Sequence, residues 1–148
     1  MAALLSSCGG GKPAPPPIKA VATREEIMHH LVIPNAKVVW DSSGTIYTLK
    51  GVEERAPKSD DEWFTVESCA TTLMEAGNLL MMEGRAMDNG HWMERARALR
   101  ESGDLVRQAA KAKDIVALFD RGGTLFEACQ GCHFEYRFVK DPNTMRTH

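Results

Sequence analysis

The sequence predicts an all-α protein, an antiparallel four-helix bundle over residues 23–140, and three observations carry that expectation. Four separate stretches repeat their apolar residues near the 3.6-residue period of a helix, while no convincing strand pattern accompanies them. Aromatic residues make up 7% of the 148 residues, and there are eight methionines, a balance that suits packed helices better than a β-sandwich. The length is that of one domain, small enough for a single core.

The elements follow in chain order. Residues 1–22 read as a tail, with Gly9-Gly10-Gly11 and then Pro13, Pro15, Pro16 and Pro17 forming a flexible and then extended spacer. Thr23 and Glu26 make a capping box that opens the first helix, whose apolar positions are Ile27, Met28, Leu31, Val32, Val38 and Val39. Pro34 should kink this helix near Ile33, or stop it and restart it with the proline in the first turn. From Asp41 to Lys58 an ordered loop is expected; Thr45 to Leu49 has strand propensity but no sheet to join beyond a local hairpin.

Ser59 and Glu62 form a second capping box, after which Trp63, Val66, Ala70, Leu73, Gly77 and Leu80 step along one face. Gly84 to Gly90 turns the chain. Trp92, Ala96, Leu99, Gly103, Val106 and Ala110 make the third stripe, with small residues that permit close approach of another helix. The fourth helix starts near Asp114 and runs through Ile115, Leu118, Leu125, Cys129, Cys132 and Tyr136 until Asp141-Pro142 ends it, leaving a short tail over 141–148. Gly122-Gly123 is the point at which it could soften.

Charge and composition exclude several functions. Eighteen Lys and Arg against twenty Asp and Glu leave a net charge of -2, so no basic field draws the chain to nucleic acid. No catalytic dyad, Gly-rich phosphate loop or suitably spaced carboxylate pair is present, so no enzyme is expected.

The four cysteines, Cys8, Cys69, Cys129 and Cys132, are not spaced as a disulfide framework. Two of them fall in Cys129-Gln130-Gly131-Cys132-His133, the C-x-x-C-H string of covalent c-type haem attachment. On a helix these three side chains stand at i, i+3 and i+4 and project from one face, so one turn can supply two thioether bonds and an imidazole. His133 would then be the proximal iron ligand. A zinc site, a thioredoxin-like dithiol and an accidental match in a non-haem structural lipoprotein are the alternatives. Zinc would need a further ligand pair that His29, His30, His91 and His148 do not offer at suitable spacing; dithiol exchange favours a helix N-terminus, and this motif lies late in its helix. Cys69, on the second stripe, reads as a small buried hydrophobe.

The segment from Ala117 to Arg137, ending Ala128-Cys129-Gln130-Gly131-Cys132-His133-Phe134-Glu135-Tyr136-Arg137, resembles the last helix of the cytochrome c-prime and cytochrome c-556 family. That family attaches its haem near the C-terminus of a four-helix bundle, and the resemblance spans Thr23 to Arg137. It implies a single covalent haem c and one-electron transfer to a redox partner protein, or binding of nitric oxide or carbon monoxide at an open distal position. It also implies a periplasmic location and a homodimer built through the first two helices. The stretch Arg24-Glu25-Glu26-Ile27-Met28 resembles the family's distal pattern and maps the sixth ligand onto Met28, with His29 and His30 as neighbours able to replace it. Arg137 resembles the family's arginine near the proximal imidazole; a cation favouring the helix C-terminus is the simpler alternative. Leu5-Ser6-Ser7-Cys8-Gly9 resembles a lipobox, which would make Cys8 an acylated membrane tether; a stray cysteine in a tail is the alternative.

Overall fold

The computed structural model describes residues 17–137. Cys8, most of the leading tail and the 141–148 segment lie outside the described residues, as does the end assigned to the fourth helix at Asp141-Pro142. The chain is mostly helical with one small two-stranded sheet. None of the described helices is long and apolar enough to cross a membrane.

The first helical stretch opens as its caps dictate. Thr23 Oγ1 accepts from Glu26 N–H at 3.1 Å, and Glu26 Oε2 accepts from Thr23 N–H at 2.8 Å. Helix α1 (Arg24–Ile27) passes into a π-helical segment, Met28–Val32, and then into α2 (Ile33–Asp41). The expected interruption at Pro34 is therefore neither a stop nor a simple kink. Helical structure continues through it because the turn before it widens: Pro34 has no N–H, and in an α-helix its ring would press on the carbonyl four residues back. Asn35 Nδ2 donates to Leu31 O at 2.7 Å, occupying a carbonyl beside the widened turn.

The expected ordered loop after α2 is instead an antiparallel hairpin, β1 (Gly44–Thr48) paired with β2 (Gly51–Arg55) through a two-residue turn. The two strands satisfy each other, so no further sheet is needed. Gly44 and Gly51 have φ of 127° and 134°, which side-chain-bearing residues avoid. The hairpin base is tied back by Arg55 to Asp41 at 3.5 Å.

Helix α3 (Asp60–Leu80) starts at Ser59, whose hydroxyl accepts from Glu62 N–H at 3.2 Å. The reciprocal half of the box lands one residue early, with the Glu62 carboxylate accepting from Lys58 N–H. Val66, Ala70, Leu73, Gly77 and Leu80 are buried as the stripe requires. Helix α4 (His91–Ala112) buries all six residues of its stripe, Trp92 through Ala110. Lys113, at φ 51°, turns the corner, and Asp114 accepts from Ala117 N–H at 3.0 Å to cap α5 (Ile115–Tyr136). Gly122-Gly123 does not break α5. The Gly122 carbonyl accepts from Trp40 Nε1 at 3.0 Å, which joins α5 to α2.

The core lies where α2, α3, α4 and α5 meet, with Leu73, Val106, Leu118 and Leu125 fully buried. Arg85, in the α3–α4 connection, is buried too and is held by carbonyls rather than a carboxylate: Nε donates to Ala22 O at 2.8 Å and Nη1 to Leu79 O at 3.0 Å. The crossing of α3 and α4 is close at Gly77, where a Cβ would lie 2.8 Å from Ala96 O and 2.9 Å from Arg100 Cβ. Gly77→Ala is therefore expected to destabilise. Forcing the helices apart costs about 1–3 kcal/mol, more than the helix-propensity gain of up to about 1 kcal/mol. The exposed Gly123 has nothing within 4 Å of its would-be Cβ, so Gly123→Ala should keep that gain and stabilise. Urea denaturation midpoints that moved the same way in both variants would contradict this packing.

Candidate functional site

A cavity of about 320 Å3 opens between the first helical stretch, α4 and α5. Its wall brings Met28 together with Cys129, Cys132 and His133, which lie about a hundred positions later in the chain. Leu80, Trp92, Ala96 and Leu99 supply an apolar floor, and Trp40 and Phe126 stand toward solvent in edge-to-face contact with centroids 5.8 Å apart. The volume is at the lower end of the roughly 300–1,000 Å3 of ligand pockets, and its mostly apolar lining suits an apolar ligand.

The helix presents the motif as its spacing requires. Cys129 and Cys132 are thiols, not a disulfide, and both are half-buried. Burial, with Cys132 next to it, pushes the Cys129 thiol up to about 11. Burial also raises Cys132, partly offset by Arg95. Both are raised, whereas a dithiol exchange catalyst lowers its attacking thiol, and the motif lies near the C-terminal end of α5, where the helix dipole opposes a thiolate. Neither position favours the thiolate that dithiol exchange needs. Among the described residues no group of three or more His, Cys, Asp or Glu is arranged to hold a metal ion.

Burial lowers the His133 imidazole, and the Arg137 charge lowers it further. Neutral imidazole, the form that can bind iron, is favoured at neutral pH. Arg137 itself is exposed at the end of α5 and is not part of the cavity wall; it acts on His133 through its charge. Met28 is half-buried in the wall, while His29 and His30 are exposed and outside it, so the structure separates the three candidate distal residues. Cys69 is half-buried on α3, and burial raises its thiol; it does not line the cavity.

Two charged residues in the wall escape the sequence reading. Lys37 sits on α2, one turn from Trp40. Arg95, which the α4 pattern leaves off the apolar stripe, reaches across to α5, where its guanidinium pairs with Glu135 and holds that carboxyl below the usual range. A Cβ at Gly131 would lie 3.0 Å from Arg95 Nη1, so the second spacer residue of the motif leaves room for this arginine. Nearby, the Tyr136 hydroxyl donates to Asp88 Oδ2 at 2.6 Å, and the Tyr136 ring meets Trp92 edge-on at 5.1 Å, which fixes the last turn of α5 against the start of α4. Nothing in the sequence pattern of α4 marks Arg95 as a site residue.

No protein-family model, curated protein or solved structure matches this chain.

The donor set fits a covalently held haem. Two thiols and an imidazole stand on one helical face, a thioether lies in the same apolar cavity, and two cations are available in its wall.

Proposed function

We propose that the chain is a c-type cytochrome: an antiparallel four-helix bundle that holds one haem c through Cys129 and Cys132 and carries single electrons. His133 would be the proximal ligand and Met28 the sixth. The observation that carries this reading is the convergence of Met28 with Cys129, Cys132 and His133 on one apolar cavity. A bound haem supplies a ferrous–ferric couple whose potential follows its axial ligands and their surroundings.

The chain's own residues do the rest. Two thiols would fix the group to α5, and the half-buried imidazole of His133, whose burial favours the neutral form, would offer a nitrogen lone pair. The Met28 thioether sets a higher potential than a second imidazole would. Trp92, Ala96 and Leu99 exclude water from the inner side. Covalent attachment of this kind goes with a periplasmic domain, one that an acylated Cys8 would tether to a membrane, and the partner is a redox protein rather than a nucleic acid or a substrate.

Absorption spectra and intact mass of protein matured with haem-attachment machinery test this. The expected product is coloured, low-spin in the ferric state, and heavier than the polypeptide by one haem. Colourless protein, or two thiols still free by mass, rejects the reading; a high-spin spectrum that responds to carbon monoxide transfers it to gas binding.

A further inference from the structure

The π-helical segment is the departure from α geometry within the described helices, and it begins at the residue that enters the cavity. Its closing bond runs from Ile33 N–H to Met28 O, five residues back. The burial pattern carries the same signature: Ile27 and Val32, five apart, are both in the core, while Leu31, at α spacing from Ile27, is only half-buried.

The consequence for the cavity is a change of residue. An α-helix turns about 100° per residue. Counted back from Trp40, Ala36 and Ile33 then lie within about 40° of it, and both line the cavity. Continued without interruption, the same helix would bring His29, eleven residues before Trp40, to within about 20° of that face. Met28 would stand about 120° away. The structure has the reverse, with Met28 in the wall and His29 exposed. One extra residue in the wide turn moves Met28 into the place that α register would give to His29.

We propose that this π turn selects the sixth ligand, with Pro34 and Asn35 as positioning residues that keep a thioether, not an imidazole, in the cavity. The inference rests on the haem reading above. Pro34 makes the α turn unfavourable, and the Asn35 side chain occupies the Leu31 carbonyl beside it. Both ligands would give low-spin iron, so the selection acts on the reduction potential rather than the spin state.

The test uses full-length, haem-loaded protein and reads the methionine-to-iron charge-transfer band and the reduction potential. The wild type should show the band. Pro34→Ala should lose it, stay low-spin through His29, and fall in potential; adding His29→Ala should then make the ferric protein high-spin. Deleting His30 in the Pro34→Ala background puts Met28 eleven residues before Trp40 and should restore the band, which general disruption would not do. His29→Ala on the intact segment, a change at an exposed side chain, should leave the spectrum as it was. A wild type without the band, a Pro34→Ala protein that keeps it, a His30 deletion that fails to restore it, or a changed His29→Ala spectrum each overturns the inference while a coloured wild type leaves the haem reading standing. Colourless wild type ends both.

Discussion

Met28→Leu is expected to turn the ferric protein from low-spin to high-spin and to open the ferrous protein to carbon monoxide. Leucine matches methionine closely in volume, and such exchanges usually cost less than about 1.5 kcal/mol, so the helical fold should persist while the sulfur is lost. His29 and His30 are exposed and lie outside the cavity, so neither is placed to replace the sulfur. The whole effect should therefore fall on the iron. Identical spectra for variant and wild type would make Met28 a packing residue, one of eight methionines in the chain.

The second large effect is on attachment itself. With Cys129→Ser and Cys132→Ser combined, covalent haem should be lost completely: the intact mass returns to that of the polypeptide, and any residual colour leaves on acid–acetone extraction. His133→Ala differs in kind, since both thiols remain; the haem should stay tethered but change its spectrum. Covalent haem surviving in the double serine variant, or an unchanged spectrum after His133→Ala, would contradict the roles given to these residues. The structure supports the separation of these outcomes because the two thiols and the imidazole occupy distinct positions of α5 along one cavity wall.

Arg95 shows how a site residue stays hidden in a sequence. Its neighbours on the buried stripe of α4, Trp92, Ala96 and Leu99, are apolar, and an arginine beside such a stripe ordinarily reaches water. Its role in the wall comes from Glu135, on another helix forty residues later. The hairpin escaped for a different reason. Thr45 to Leu49 has strand propensity, but the partner strand, Gly51–Arg55, contains Glu53, Glu54 and Arg55 and alternates weakly because its side chains are mostly exposed. Pairing, not pattern, defines it.

What the sequence alone determined is local. Thr23, Ser59 and Asp114 fix helix starts through side-chain oxygens within three residues, and the stripes of α3, α4 and α5 follow from a period that every α-helix shares. The grouping of Cys129, Cys132 and His133 on one face belongs to the same class. Tertiary structure decided which residues meet them: Met28 rather than His29, with Trp40, Lys37 and Arg95 in the same wall. Those choices depend on how helices far apart in the chain cross, and on one widened turn that shifts the register of every residue before it.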